Sequence, residues 1–468
     1  MAINSLHPQY QEVLDSIVRT SAAVKGNVQR FVPKLSGQSQ AQYDAYVTRT
    51  SYFNVIERTL AALVGALTRR PSTIEMVVGD DPTFANVSDE DDFIRMCYAD
   101  LMMTGRTGIL VDFDEVAQRP YLTSYDGMSI INWGSDFYVL AETYYAPNPK
   151  DRYEQMLMTR FRELFLDDNG LYAVRIWEQK KTTAGNYSNV KPTYEVVQYI
   201  EPMIRGQRLQ WIPFVVAGCG GKNVCSKPLL ATLADINIDY FKIAVDIAHG
   251  AHFIALPTPY IAGDLQNEQS VIRVGTDEFI HLAPGGQVGY LEFTGAGMNF
   301  LMEYSRAKEE QMYSLGSRLL SYKKGVESSD ALSMRLGAEA ASLVTLADVL
   351  EEALGDALYW YNMWMGIDVE PEVELNKDVS PTMIDPQQIT ALLTLFQKGV
   401  ISLDTLLQRL YEGEIVDDPS EERELISGQE EENEDEESRV EGADSEEPNS
   451  MEEDMISAAD AIVRARAQ

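Results

Sequence analysis

The period of hydrophobic positions changes several times along the chain, and each change predicts a different element. Over "YQEVLDSIVRTSAAV" apolar residues fall at Tyr10, Val13, Ile17 and Val24; over "YFNVIERTLAALVGAL" they fall at Phe53, Ile56, Leu60 and Leu63/Val64. Both runs have the 3.6-residue period of a helix with one buried stripe. The second predicts a last turn holding Arg69 and Arg70, where cations suit the negative end of the helix dipole, and a stop at Pro71. A shorter helix, "DDFIRMCYADLMMTG", is predicted to end at Gly105.

From residue 107 to about 216 the period shortens to two. "TGILVDF", "YLTSYDGMSIINW" and "QMLMTRFRELFLDDNGLYAVRIWEQ" are rich in β-branched and aromatic residues and predict strands. "DDNG" at 167–170 predicts a hairpin turn, because Asn-Gly tolerates positive φ, and "KTTAGNYSNVKPTYEVVQYI" continues the meander. Three helical patterns follow. The first, 228–253, is apolar nearly all round and should be buried on several sides. The second, 297–320, places Leu301, Tyr304, Met312, Leu315 and Leu319 on one face. The third starts at the N-cap candidates Ser328/Ser329 and stops at Gly366. Its apolar line runs through Leu332, Leu336, Leu343, Leu346, Leu350, Leu354, Leu358, Tyr361 and Trp364, and at 1.5 Å per residue it is about 55 Å long. An insertion rich in strand and turn signals, 256–293, separates the first two. After an extended piece, "IDVEPEVELNKDV", come two short amphipathic helices, "DPQQITALLTLFQKG" and "SLDTLLQRLYEG", and a final helical patch, "DMISAADAIVRARA".

Charge alters this picture at one end. The net charge is −35, and nineteen acidic residues against two arginines between Asp417 and Asp454 carry −17 of it. That stretch is too charged and too poor in apolar residues to build a core, and is expected to be disordered. The rest of the chain is acidic too, which disfavours a face that grips nucleic acid through its phosphates. The apolar runs reach about half of the ~20 residues a membrane helix needs, and the first residues show no signal-peptide pattern, so a soluble, intracellularly made protein is expected.

Catalytic chemistry is hard to find. The three cysteines, Cys97, Cys219 and Cys225, lack paired spacing and fit a reducing compartment. Cys219 and Cys225 lie near His249 and His252, but the spacing is wrong for a zinc pair and buried thiols are the better reading. "HGAH" has an i, i+3 spacing with apolar neighbours and reads as packed or interfacial. "GCGGKNV" approaches a phosphate loop but has Asn223 where a hydroxyl must reach magnesium, so a Gly-rich turn is expected. "VSDEDDF" lacks the central glycine of a calcium loop and reads as an acidic first helical turn. No nucleophile elbow appears. The expectation is no enzyme, no cofactor and no metal.

The order of elements resembles that of tailed-bacteriophage portal proteins. "YVTRTSYFNVIERTLAALVGALTRRP" resembles the N-terminal helix of one portal branch, and "TGRTGILVDF" the strand entry after it. "ADINIDYFKIAVDIAHGAHFIALPTPYIAG" resembles the helix that leads into the clip. "GYLEFTGAGMNFLMEYSRAKEEQMYSLGSRLL" with "LGAEAASLVTLADVLEEAL" resembles the returning stem helix, tunnel loop and long helix. The similarity covers about 40–410. It implies an α+β fold with a mixed wing (1–226), stem helices (227–255 and 294–320) and a small strand-rich clip (256–293). A tunnel loop (321–329), a long wing helix (330–365), a wing return (366–382) and a helical crown (383–415) complete it. The acidic linker (416–454) and terminal patch (455–468) have no counterpart.

The resemblance also implies function: a ring of twelve copies in the virion, assembled in the host cytoplasm, through which double-stranded DNA is packaged and ejected. Its partners would be the large subunit of the packaging terminase, a head-tail adaptor, the major capsid protein and a scaffold, with no membrane. Tyr322, Lys323, Lys324 and Gly325 would form the loop that touches DNA in the channel. Glu339, Asp348, Glu351, Glu352 and Asp356, on the polar face of the long helix, would line the channel, or else face solvent or a neighbour. Tyr260, Asp264, Arg273 and Asp277 would contact partners from the clip. The rival reading is a structural or scaffolding virion protein that forms no ring and no channel.

Overall fold

The structure is a computed structural model that describes residues 2–75, 82–85, 87–148, 151–180, 193–255, 258–262, 286–291, 296–318, 329–379, 386–413, 415–416 and 418–427. The chain divides into two units, Met1–Val379 and Ser380–Gln468.

The first unit opens with α1 (Pro8–Val24), capped by the His7 imidazole, whose Nδ1 accepts from the Gln9 N–H. Tyr10, Val13 and Ile17 are buried at helical spacing, as the pattern requires. A 3₁₀ turn at Gln29–Phe31 leads to α2 (Gln40–Val47), which begins with a Ser39/Gln42 capping box. In α3 (Val55–Leu67) the cap is Asn54, so Phe53 lies before the helix and is half exposed. The helix also ends earlier than its composition implies. Arg69 and Arg70 are not in its last turn but beyond it, where both bind the Asp378 carboxylate at 3.0 and 2.8 Å. A carboxylate from the far end of the unit offers these arginines a stronger partner than the partial charge of a helix end.

Strand β1 (Thr73–Glu75) precedes α4 (Glu90–Thr104), whose acidic first turn is capped by Asp89. Gly105 ends α4 in the left-handed region (φ 83°), and a Cβ there would lie 2.4 Å from the Ser226 carbonyl oxygen. The chain then enters β2 (Arg106–Asp114) and β3 (Arg119–Asp126), a hairpin. Next comes a five-stranded antiparallel meander: β4 (Ile130–Trp133), β5 (Phe137–Asn148), β6 (Asp151–Leu166), β7 (Tyr172–Gln179) and β8 (Tyr194–Ile200), in that spatial order. In the β6–β7 turn it is Gly170 that takes positive φ (74°), while the Asp167 carboxylate accepts from the Asn169 and Leu171 N–H groups. Short strands β9 (Met203–Ile204) and β10 (Gln207–Arg208) form a further hairpin; β11 (Phe214–Gly218) returns to pair with β2.

Helix α5 (Ala231–Ala255) starts three residues after Pro228. It leads to a strand pair, β12 (Thr258–Ala262) with β13 (Gln287–Leu291), and then to α6 (Ala296–Arg318). Helix α7 (Ser329–Met365) has 37 residues and stops at Gly366 (φ 80°). Its Leu343, Leu346, Leu350, Leu354, Leu358 and Tyr361 are buried in one line within a core shared with α3, α4 and α5, and with β2 and β11. The extended segment after it supplies β14 (Glu372–Glu374), which pairs with β1. The second unit contains α8 (Pro386–Gln397) and α9 (Leu403–Glu412), the latter capped by Ser402. Residues 419–427, expected to be disordered, are helical, with Asp418 accepting from the Ser420 N–H. The terminal patch 455–468 lies outside the described residues.

Gly105→Ala tests the α4–β2 corner. The substitution forces both a left-handed alanine and a backbone clash, so a loss of about 2 kcal/mol or more is expected in denaturant titration. An unchanged midpoint would show that the corner relaxes freely.

Candidate functional site

The feature that separates this chain from a closed globule is the α5–α6 pair. The first half of α5 is core: Leu233, Ala234, Ile238, Phe241 and Val245 are buried. So is Asn237, 0% exposed, whose amide is pinned by the α2–α3 segment. Its Oδ1 accepts from the Tyr52 hydroxyl (2.8 Å) and the Ile56 N–H (3.3 Å), and its Nδ2 donates to the Phe53 carbonyl (3.0 Å). The same segment holds the next turns. The Tyr52 ring meets Phe241 edge-on at 5.6 Å, and the Tyr46 hydroxyl donates to the Asp246 carboxylate. The Tyr46 ring lies edge-on to His249 at 4.9 Å. Burial, and then the Arg49 guanidinium, hold the His249 pKa below the ordinary histidine value. Beyond His249 the helix emerges, and Ala251, His252, Ile254 and Ala255 are exposed.

Helix α6 returns along α5. Lys308 reaches Asp239 at 3.6 Å, and Met298 lies so close over Gly250 that a Cβ there would be 2.5 Å from its Cε. Only one face of α6 is used: Met312 is buried, and Leu301, Lys308 and Leu315 are partly covered. At 100° per residue, two flanks are left on either side of that face. Phe300 (68% exposed) and Tyr304 (45%) stack on each other on one flank, rings 6.3 Å apart. Met302 (44%) and Tyr313 (52%) share the other. Tyr304 therefore does not belong to the packed face with Leu301 and Met312, as the sequence pattern placed it. An i, i+3 step turns it off that line, and its i, i+4 pairing with Phe300 is the signal that marked it as part of a separate stripe.

The acidic residues of α7 have a different setting from an open row. Lys377 bridges Asp348 (2.8 Å) and Glu351 (3.0 Å), and Glu351 also accepts from the Leu375 N–H. Lys222 bridges Glu352 (3.3 Å) and Asp356. These four carboxylates thus hold the Gly-rich turn and the post-helix segment onto α7. The turn itself is the structure expected for "GCGGKNV": Gly221 and Asn223 have positive φ, and a Cβ on Gly218 would clash with the Val224 carbonyl at 2.2 Å. The sequence gave no sign of the two lysine bridges, because their partners are 26 to 134 residues apart. The side chain of Glu339 lies outside the described residues, as do Tyr322, Lys323, Lys324 and Gly325.

Of the clip candidates, Tyr260 is described, half exposed on β12 with its ring against Gly289 of β13. Asp264, Arg273 and Asp277 lie outside the described residues. The cysteine–histidine grouping does not come together: Cys219 donates to the Leu101 carbonyl (3.2 Å) and Cys225 lies against the Gln9 carbonyl (3.9 Å). Among the described residues there is no His, Cys, Asp and Glu cluster suited to a metal ion, and no helix long and apolar enough to cross a membrane.

The lysine bridges carry a pH signature. Burial works against the charged form of Lys222, but the Asp356 and Glu352 contacts outweigh it and raise its pKa. The Asp348 hydrogen bond likewise raises Lys377. A raised lysine pKa adds stability that is fully present below the unfolded value of about 10.4 and is lost as pH rises through the folded value. Both ammonium groups are partly exposed, so each bridge is worth about 1 kcal/mol or less. Lys222→Met with Lys377→Met should lower Tm by a few degrees at pH 8 and leave a smaller deficit above pH 11. A deficit that does not shrink in alkali would show that packing of the stems, not charge, is what matters.

A family model described as Domain of unknown function (DUF4055) matches residues 228–365, the span from α5 through α7. No curated protein matches the chain. Among solved structures, it is similar to a chain in the neck of an empty GTA particle computed with C6 symmetry, with 10% identity over 81% of this chain and 95% of that one (TM-score 0.38). It is similar to a chain of the virion of a native gene transfer agent (GTA) particle, with 9% identity over 83% and 99% (TM-score 0.35). It is also similar to an HK97 family phage portal protein from Corynebacterium diphtheriae, with 11% identity over 72% and 95% (TM-score 0.30).

Proposed function

We propose that the chain is the subunit of a phage-type portal: a ring at a capsid vertex that conducts double-stranded DNA during packaging and ejection. The observation that carries this is the pair of apolar flanks on α6. A helix that packs on α5 with one face and leaves aromatic and thioether side chains exposed on both sides requires a different neighbour on each side. Repeated head-to-tail, that is a heterologous contact, and it closes into a ring when the rotation permits. The ordered sequence resemblance over about 40–410 gives the ring its identity, and the acidic composition fits a conduit, since a wall that does not neutralise phosphates releases few counterions and lets the duplex slide.

On this reading α5, α6 and the β12–β13 pair are stem and clip, and Tyr260, Asp264, Arg273 and Asp277 meet the packaging terminase and later the head-tail adaptor. The protein has no catalytic role of its own; the terminase supplies the energy of packaging. Lys323 and Lys324 belong to the loop that enters the channel, where two hydrated, screened cations per subunit give a weak phosphate contact that reads no sequence.

Mass photometry of the full chain should show a species of about 630 kDa, twelve copies of 52.4 kDa, and negative-stain images should show a central hole. Phe300→Asp with Tyr304→Asp should convert the ring to folded 52.4 kDa monomer. A ring that survives those charges, or a wild-type chain that stays monomeric at every concentration, overturns the reading of α6. Particles built with Lys323→Glu and Lys324→Glu should keep the ring but retain less DNA, and wild-type retention would remove the loop from the DNA path.

A further inference from the structure

Two unmatched features of the first unit fit each other. One is the outer half of the β5–β6 hairpin. β7 pairs with β6 only over Arg160–Leu166, so beyond Glu142 and Arg160 the two strands continue as a bare ribbon. A two-stranded ribbon is marginal in water on its own. This one also exposes Tyr145 (71%), Leu157 (62%) and, near its tip, Tyr153 (91%). Beside Tyr153 stands Arg152, which has no ion pair among the described residues. The other feature is an open cleft of about 380 Å³, walled by Tyr138, Trp211, Phe214 and Trp360, with Lys222 and Asp356 among its lining residues. That is room for a large side chain. Its wall is incomplete, since the buried Trp211 Nε1 has no acceptor among the described residues, and Glu352 and Asp356 share a single lysine.

We propose that the ribbon tip of one copy seats Tyr153 in the aromatic cleft of the next, with Arg152 taking up the excess acidity of Asp356 and Glu352. The tip cannot serve its own cleft. Tyr138 forms part of the cleft wall, and β5 runs nine residues from there to Pro147 near the tip, about 30 Å at 3.3 Å per residue. A knob and a hole carried at opposite ends of one strand pair can meet only between copies, head to tail. The contact rests on the oligomeric reading above and adds a second place of attachment to it.

The test uses full-length protein with a benzophenone amino acid at position 153, assembled from equal parts ¹⁴N and ¹⁵N chains. After irradiation, peptides covering 211–215 or 356–360 should be linked to the ribbon, with mixed-isotope pairs present. Tyr153→Asp and Arg152→Glu should each speed subunit exchange by about tenfold or more, the loss expected of a buried anchor. A ring that forms without the crosslink, or with it only inside single chains, overturns this contact and leaves the α6 ring standing. Failure to form any ring removes the α6 reading, and absence of the crosslink in that sample removes this one too.

Discussion

The buried amide of Asn237 is the interaction on which the projecting part of the molecule depends. A polar side chain with no exposure must find its partners inside, and this one finds three, all from residues 52–56. Leaving them unmatched costs about 1–3 kcal/mol per group, so the amide fixes both the register and the rotation of α5 against the helical core. Tyr46 and Tyr52 extend that hold as far as His249. Because a helix is stiff, what is fixed at Asn237 also sets the direction in which residues beyond His249 leave the core. The β12–β13 pair and the start of α6 inherit that direction.

Charge is used in two ways in this chain. On α7, carboxylates are local fasteners: Asp348, Glu351, Glu352 and Asp356 are drawn to two lysines and tie distant segments to the helix. Their contribution to any repulsive wall facing DNA is reduced by the cations they hold. The stretch from Asp417 to Asp454 is different, with nineteen acids against two arginines. If the chain conducts DNA, the acids that remain uncompensated would keep the duplex from adhering, and these are mostly in the C-terminal stretch and on exposed surfaces. Screening over roughly 10 Å at 0.1 M salt confines that repulsion to close range, which suits a channel.

Local rules were readable where a single residue type has one good use. Gly105 and Gly366 end helices in the left-handed region, Ser402 caps α9, and the apolar line of α7 is buried as its period requires. Reading failed where a distant partner decides. Arg69 and Arg70 look like a helix end, but Asp378, more than 300 residues away, draws them past it. Residues 419–427 looked too acidic to order, yet they form a helix in which Arg423 pairs with Asp404 of α9. The site was only half legible. The lysine pair of the predicted loop stood out by composition, whereas the flanks of α6 could not be separated from its packed face until α5 was in place. Tyr304 counts equally well toward either stripe when only the sequence period is known.

The two attachment places argued for here constrain each other. A single heterologous patch fixes a rotation loosely, and small drift turns a closed ring into an open helix. A second contact some distance away on the same rigid unit must be satisfied by the same rotation. For a twelvefold ring that rotation is about 30° per subunit with no rise. The flanks of α6 are broad and apolar and can slide. An aromatic side chain in a cleft, with an arginine beside two carboxylates, has far less freedom. The helical flanks would then supply most of the buried area, and the ribbon would supply the angle. Closure at one stoichiometry follows from having both, because few rotations satisfy a sliding surface and a seated knob together.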